Sequence, residues 1–299
     1  WIGALPGVLA QGMIWGIMAI GVFITFRILD IADLTVDGTI CTGAAVCAVL
    51  LVSGVNAWAA IAIATLAGVL CGLITGILHT FFGIPAILAG ILTQMILWSA
   101  NLIIMGKANV ALTAVSDSKL ISNLDTESLV SNLILLGFVV AVAGLLYWFF
   151  GTELGCSLRA TGCNPNMSRA QGINTDFCKV LGLMISNGLV ALSSALLAQY
   201  QGFADVNMGR GAIVIGLAAV IIGEAIFSRI FRNFALRLLA VAFGSILYYL
   251  VLQTVIWMGI DTDLLKMLSA LVVAVFLAVP YWKGKYFAKP AKRGGKNNA

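Results

Sequence analysis

Charged side chains are scarce in this sequence. They make up 10% of its 299 residues, against about 25% in soluble domains, whereas 61% of the residues are hydrophobic. No stretch is both long enough and polar enough to form a separate soluble domain. The composition therefore excludes an ordinary soluble protein and predicts an integral membrane protein with one transmembrane domain.

The motifs of nucleotide hydrolysis and of common hydrolases are also missing. No GxxxxGK[ST] phosphate loop is present, because each lysine that follows a glycine lacks both the first glycine and the final Ser or Thr. HExxH and GxSxG are absent too. We therefore expect no catalytic residues, no enzymatic activity and no cofactor in this chain. If ATP drives the protein, a separate polypeptide must bind it.

Paired cysteines are absent as well. The cysteines are scattered, without a CxxC pair, at Cys41, Cys47, Cys71, Cys156, Cys163 and Cys178. This spacing indicates neither a disulfide framework nor a metal site. We expect free thiols that pack as small hydrophobic side chains.

The sequence contains many long apolar runs. A helix needs about 20 apolar residues to cross the hydrocarbon core of a bilayer. Runs of suitable length lie near residues 7–26, 38–54, 57–80, 85–105, 129–150, 180–200, 211–228, 237–258 and 264–282. They predict an all-α membrane protein, a polytopic helical bundle of about nine transmembrane helices, plus or minus one. Residues 1–282 would form this transmembrane domain.

Residues 283–299 form a basic tail. The tail contains no acidic residue, and its basic residues are Lys283, Lys285, Lys289, Lys292, Arg293 and Lys296. Basic loops and tails favour the cytoplasmic side of a membrane. Placing the C-terminus in the cytoplasm and alternating backwards puts the N-terminus and loop 106–128 outside. The same alternation puts Arg229, Arg232, Arg237 and residues 151–179 inside, in agreement with the positive-inside rule.

Residues 151–179, GTELGCSLRATGCNPNMSRAQGINTDFCK, form the longest polar interruption between two apolar runs; we call them the polar loop. A segment this polar cannot lie in lipid. Within it, Asn164-Pro165 predicts the start of a short helix. We predict that the polar loop is the docking surface for a separate motor protein.

Four charged residues crowd the entrance to the second apolar run, namely Arg27, Asp30, Asp33 and Asp37. Arg27 is expected to pair with Asp30 or Asp33, because an unpaired charge is costly beside hydrocarbon. Either these charges form a salt-bridged cap or they take part in a transport path. Glu224 is expected to pair with Arg229 or with the polar loop. Residues 199–210 are polar enough for a short re-entrant loop or the rim of an external mouth.

Amide side chains lie inside two of the apolar runs. Gln94, Trp98 and Asn101 are spaced four and three residues apart and share one helix face, and Asn187 lies in a later run. Amides in a membrane helix either bond a neighbouring helix or line a wet cavity, and both interpretations stay open here. We predict that a transported substrate passes Gln94, Trp98, Asn101 and Asn187.

Two stretches carry a resemblance to a known family: ITFRILDIADLTVDG at residues 24–38 and LRATGCNPNMSRAQGINTDFCKVLGLMISNGLVALSSALLAQYQGFADVNMGRG at residues 158–211. They resemble permease subunits of ABC importers in the branched-chain amino acid and ribose permease superfamily. Within it they are most similar to the single-permease systems for tryptophan or tyrosine. The likeness covers nearly the whole chain.

The resemblance implies partners and roles for particular residues. In this family the cytoplasmic loop forms a coupling helix that docks into an ATPase subunit, and the matching positions here are Gly155, Arg159, Ala160, Gly162, Asn164, Ala170, Gly172 and Ile173. Replacing Arg159 or Gly162 is then expected to uncouple ATP hydrolysis from uptake while leaving membrane insertion intact. The implied partners are ABC ATPase subunits, an extracytoplasmic substrate-binding protein and a second permease copy, in the lipid of a bacterial cytoplasmic membrane. No nucleic acid is implied.

The resemblance therefore predicts an importer for a small polar solute, such as an aromatic amino acid. A ribose or nucleoside ABC permease is one alternative. An ion-coupled secondary transporter is another, although it would need carboxylates at mid-membrane, and those of this sequence lie near the ends of the apolar runs. A non-transporting membrane scaffold or sensor is a third. The sequence leaves open the solute and the choice between a homodimer and a heterodimer.

Overall fold

The computed structural model describes residues 5–112, 129–227 and 233–258, and, as single positions, 267, 270, 271, 273–275 and 278. Its elements, in chain order, are α1 (Leu5–Phe23), a π-helical turn (Ile24–Ile28), α2 (Val36–Val52), α3 (Ala57–Thr80), α4 (Ala86–Met105), β1 (Asn109–Ala111), α5 (Leu129–Phe150), α6 (Glu153–Cys163), α7 (Pro165–Ala170), α8 (Thr175–Gln201), β2 (Phe203–Asp205), α9 (Ala212–Phe227) and α10 (Phe234–Trp257).

The prediction of an all-α polytopic membrane protein is confirmed. Six helical segments in the described ranges are long and apolar enough to cross a membrane, and α2 and α9 are shorter apolar helices. The predicted run at 264–282, the basic tail and residues Arg229 and Arg232 lie outside the described residues, apart from the single positions given above. The number of nine helices and the orientation of the termini therefore remain predictions.

Helix α8 lies at the centre of the bundle. Its hydroxyl groups bond to the backbone of α1, with Ser186 donating to the carbonyl of Gly21 (2.8 Å) and Ser193 to that of Ile14 (2.7 Å). Its other side receives the glycines of α3. A Cβ added at Gly72 would collide with the carbonyl oxygen of Leu183, and one added at Gly68 with the side chain of Ala191. The two helices thus touch backbone to backbone, as small residues at period four allow.

Helices α2 and α9 begin inside the bundle. The first turns of α2 bond to Asn187, near the middle of α8, through Thr39 Oγ1 (2.6 Å to Asn187 Oδ1). In α9, Gly216 packs against Met18 and Val22 of α1. Gly216, in the second turn of α9, thus lies about 20–26 Å along α1 from Leu5, at about 1.5 Å per residue. Both helices are shorter than the roughly 20 residues of a complete span, at 17 and 16 residues.

A two-stranded antiparallel sheet lies where α4 and α8 end. Strand β1 pairs with β2 in the register Asn109↔Asp205. The chain then turns back towards α2, where the thiol of Cys41 donates to the carbonyl of Val206 (3.1 Å) and accepts from the N–H of Gly209 (3.3 Å). Residues 206–211 therefore re-enter the bundle before α9 begins.

The predicted pairing of Arg27 is wrong. Arg27 Nε lies 3.0 Å from Glu224 Oε1 of α9, rather than pairing with Asp30 or Asp33. The π-helical turn at Ile24–Ile28 carries Arg27 towards α9, while the following residues lead Asp33 back into the bundle. Glu224 accordingly pairs with the π-helical turn and not with the polar loop, while Arg229, its other predicted partner, lies outside the described residues.

The backbone contact between α3 and α8 predicts that an alanine will destabilise the protein at Gly72 but not at Gly144. We expect Gly72→Ala to lower the unfolding free energy by about 1–3 kcal/mol, because the added methyl group meets backbone that cannot move aside. The thermal unfolding midpoint of the detergent-purified protein measures this effect. Gly144→Ala is the matched control, since nothing lies within 4 Å of a Cβ added there. Equal midpoints for the two variants would contradict the packing described above.

Candidate functional site

A cavity of about 500 Å³ lies between α2, α4 and the segment after β2; we call it the α4 pocket. Its lining residues are Asp37, Gly38, Cys41, Ile91, Gln94, Met95, Trp98, Ser99, Asn101, Val206 and Arg210. Three of the predicted path residues, Gln94, Trp98 and Asn101, thus lie at one cavity. They lie there because their spacing puts them on the face of α4 that packs beside α2.

Two charged side chains border the α4 pocket. Asp37 accepts the backbone N–H groups of Ile213 (2.9 Å) and Gly211 (3.1 Å), and so joins the first turn of α2 to the start of α9. Arg210 is exposed and directly precedes Gly211. Sequence reasoning placed Asp37 among charges near a helix end and Arg210 at an external rim, but it did not bring the two residues together.

Asn187, the fourth predicted path residue, lies elsewhere. It is fully buried, donates to Asp33 Oδ2 (2.7 Å) and accepts from Thr39. Asp33 Oδ1 accepts the N–H of Thr35 (2.9 Å). Hydroxyl contacts continue from Thr35 to Thr75 of α3 (2.8 Å) and from Thr75 to Thr93 of α4 (3.0 Å). We call this set of residues the buried polar network.

The buried polar network joins four helices around one carboxylate. Both interpretations of the amides therefore occur in this chain, because Asn187 bonds neighbouring helices while Gln94 and Asn101 line a cavity. The expectation that the carboxylates lie near span ends is wrong for Asp33, which is buried beside the middle of α8. The threonines at helix-interior positions were the sequence signal for this network, and sequence reasoning missed it.

The polar loop folds into α6 and α7. Asn164 begins α7 as predicted, accepting the N–H of Met167 at its Oδ1 (3.1 Å), and Pro165 occupies the first turn. Asn174 caps α8 in the same way through the N–H of Phe177 (3.1 Å). The loop is thus a pair of short capped helices and not an irregular connection.

Several of the predicted coupling residues face the bundle. The guanidinium of Arg159 donates to the carbonyl of Phe150 and lies 4.5 Å from the ring centroid of Phe234, so it binds the end of α5 and the start of α10. A Cβ added at Gly162 would collide with the carbonyl oxygen of Ile28. Gly155 is buried against Phe149 and Phe150 in the same way. These contacts hold Arg159 and the two glycines to the bundle, and the coupling role that the resemblance implies for them stays a prediction.

Other residues of the polar loop face outwards. Asn164, Ala170 and Gly172 are exposed, whereas Ala160 and Ile173 are half-buried. Met167 of α7 and Phe177 at the start of α8 are also exposed, by 61% and 52%. Sequence reasoning missed these two apolar side chains, because the exposure of a methionine or a phenylalanine cannot be read from the composition of a polar segment.

The family model described as "Branched-chain amino acid transport system / permease component" matches residues 5–279 of the chain. The chain belongs to this permease family. It is a multi-pass integral protein of the inner membrane, in agreement with its apolar helices.

The curated relatives of the permease differ in the solute that their names give. A tyrosine transport system permease protein of Clostridioides difficile is 41% identical over 277 residues, covering 93% of this chain and 91% of the relative. An autoinducer 2 import system permease protein of Salmonella typhi is 28% identical, covering 74% and 63%. A fructose import permease protein of Bifidobacterium longum is 25% identical, covering 81% and 68%. No solved structure matches the permease.

The two kinds of asparagine in the permease predict different effects on stability. We expect Asn187→Leu to lower the unfolding free energy by about 1–3 kcal/mol, because Asp33 and Thr39 would lose a buried partner. Asn101→Leu should cost much less, because neither amide atom of Asn101 has a hydrogen-bond partner among the described residues. Thermal unfolding of the two purified variants tests this, and an equal loss would refute the role of Asn187 in the network.

Proposed function

We propose that this chain is the membrane subunit of an ATP-driven ABC importer for an amino acid with an aromatic side chain, such as tyrosine or tryptophan. The observation that carries this proposal is the 41% identity to a tyrosine transport permease over nearly the whole length of both chains. An extracytoplasmic binding protein would deliver the amino acid. Separate ABC ATPase subunits would bind and hydrolyse ATP, since the sequence has no phosphate loop.

The outer face of α7 is the proposed contact with the ATPase. Met167 and Phe177 are exposed apolar side chains beside the exposed Asn164 and Ala170. Hydrophobic side chains surrounded by polar ones are typical of protein interaction surfaces. Asn164, Ala170, Gly172 and Ile173 would thus lie at the contact, whereas Gly155, Arg159, Ala160 and Gly162 would hold α6 to the bundle.

Movement of α7 has a direct route into the bundle. Gly162 at the end of α6 touches the backbone of Ile28, and Gly182 of α8 touches Leu29. Residues 29–35 then lead to Asp33 and the start of α2. Residues in direct contact would therefore transmit a displacement of α6 by the ATPase to the buried polar network and the α4 pocket.

A second copy of the permease would complete the pore. Symmetric dimers are the commonest assemblies of identical chains. Ile91, Met95 and Trp98 line the α4 pocket and are exposed on the surface of α4. A second copy packed against α4 would shield the polar pocket from lipid, which supports an assembly around this helix. Substrate would pass Gln94, Trp98 and Asn101, while Asn187 would hold the helices around the path.

An ion-coupled secondary transporter is the second candidate, and the buried carboxylate of Asp33 favours it. Reconstitution in proteoliposomes separates the two functions. We expect uptake of L-tyrosine only with the ATPase, ATP and the binding protein present. Uptake driven by a proton or sodium gradient without the ATPase would overturn the proposal and support the second candidate. Uptake of ribose or a nucleoside in place of amino acids would overturn the proposed substrate but leave the proposed ABC importer standing.

The proposed docking face predicts that a substitution on it will reduce transport without lowering the stability of the permease. We expect Met167→Asp to reduce ATP-driven uptake at least about tenfold by burying a charge at the ATPase contact, with an unchanged unfolding midpoint, since the side chain is exposed. Met167→Leu is the matched control and should retain uptake. Arg159→Gln should lower the unfolding midpoint as well as uptake, because Arg159 packs between α5 and α10. Unimpaired uptake by Met167→Asp would refute the docking face.

A further inference from the structure

The α4 pocket carries two opposite charges that do not neutralise each other. Asp37 and Arg210 both line the cavity, yet neither takes part in an ion pair with any residue in the described ranges. Asp37 accepts backbone N–H groups at the start of α9, which fix its carboxylate in place, and a carboxylate offers about four acceptor sites in all. The guanidinium of Arg210 makes no hydrogen bond among the residues that the structure covers.

The pocket also contains a buried amide without partners. Asn101 is fully buried, and both its Nδ2 and its Oδ1 lack a hydrogen-bond partner in the described structure. Buried amides are normally bonded, because an unsatisfied donor or acceptor keeps the full cost of its lost hydration. An amide at the wall of a cavity can be satisfied by a polar ligand that enters the cavity. Both polar atoms of Asn101 are shielded in this structure, so its side chain would rotate to bond a polar ligand in the adjoining cavity.

Most of the remaining wall of the pocket is apolar, although Gln94 and Ser99 also line the pocket. Ile91, Met95 and the ring of Trp98 line it, and Trp98 is 47% exposed. The volume of about 500 Å³ lies within the range of about 300–1,000 Å³ that is usual for small-molecule sites. One end of a ligand would therefore meet charges and amides, and the other end would meet an aromatic ring and aliphatic side chains.

We infer that the α4 pocket is a binding site for a zwitterionic α-amino acid with an aromatic or large apolar side chain. The α-ammonium group contacts Asp37, the α-carboxylate contacts Arg210, and the amide of Asn101 bonds the same polar end. The side chain packs against Trp98. This inference rests on the proposed function as an amino acid importer, and it assigns the selectivity of the pore to a site within the permease itself.

Other classes of solute fit the charges of the pocket less well. A neutral sugar would bring no charged group to either side chain, so Asp37 would keep only the backbone N–H groups of α9 and Arg210 would gain no counter-charge. A simple anion would leave Asp37 unpaired, and a metal cation would leave Arg210 unpaired. A free amino acid brings both missing charges on adjacent atoms. Its ammonium and carboxylate groups would form charge-assisted hydrogen bonds, which are stronger than those of neutral groups.

Equilibrium binding to the intact transporter tests the inference. The permease and its ATPase subunits are placed in lipid nanodiscs without the binding protein, and binding of radiolabelled L-tyrosine is measured. We expect saturable binding that Arg210→Gln weakens by about 10- to 100-fold through loss of the bond to the carboxylate. Arg210 is exposed and makes no side-chain bond within the described residues, so the variant should fold normally.

A substrate analogue identifies which group Arg210 recognises. Tyramine has the ring and the ammonium group of tyrosine but no carboxylate, so Arg210→Gln should change its binding by less than about twofold. Lys107→Gln is the matched control, since it removes an exposed positive charge that does not line the pocket, and it should leave L-tyrosine binding unchanged. D-fructose should not displace L-tyrosine.

Three results would overturn the inference. They are the absence of saturable binding for L-tyrosine, L-tryptophan and L-leucine alike, an equal loss of tyramine and L-tyrosine binding in Arg210→Gln, and an equal loss in Lys107→Gln. ATP-driven uptake by the complete transporter is measured in parallel. Amino acid uptake without binding at the pocket would reject the site and leave the proposed function standing, whereas failure of all amino acid uptake would reject both.

Discussion

Backbone N–H groups inside a bilayer need hydrogen-bond acceptors, and this constraint governs the middle of the permease. Helices α2 and α9 both begin within the bundle. Asp33 accepts the N–H of Thr35 just before α2, and Asp37 accepts those of Gly211 and Ile213 around the start of α9. The positive end of a helix also stabilises a nearby carboxylate. Two helices that start at depth therefore explain why two aspartates lie among apolar residues.

The same constraint gives α2 two faces with different tasks. One face carries Thr39, which bonds Asn187 and so joins α2 to the central helix α8. The other carries Asp37 and Gly38, which border the α4 pocket. Because α9 starts at the level of Asp37, the chain after β2 must come back into the bundle, and Arg210 comes with it. The pocket is thus a product of two helices that begin within the bundle.

The bounds of several helices could be predicted from the sequence, because bilayer thickness sets their length. Contacts between residues far apart in the sequence could not be predicted in this way. The apolar runs at 57–80, 85–105 and 129–150 agree with α3, α4 and α5 within a residue, because hydrocarbon thickness sets both. Asn164-Pro165 likewise marked the start of α7 through local capping. The partner of Arg27 lies 197 residues away, and the burial of Asp33 depends on α8. No local spacing encodes such contacts.

The direct contact of α3 with α8 limits which parts of the permease can move. Because Gly68 and Gly72 have no side chains, the backbones of α3 and α8 are in direct contact at these positions. We expect two helices in such contact to move together as one rigid unit, because sliding one along the other would make their backbones collide. In the proposed importer, we therefore expect α3 and α8 to stay together as one rigid unit while the permease alternates between outward-open and inward-open forms.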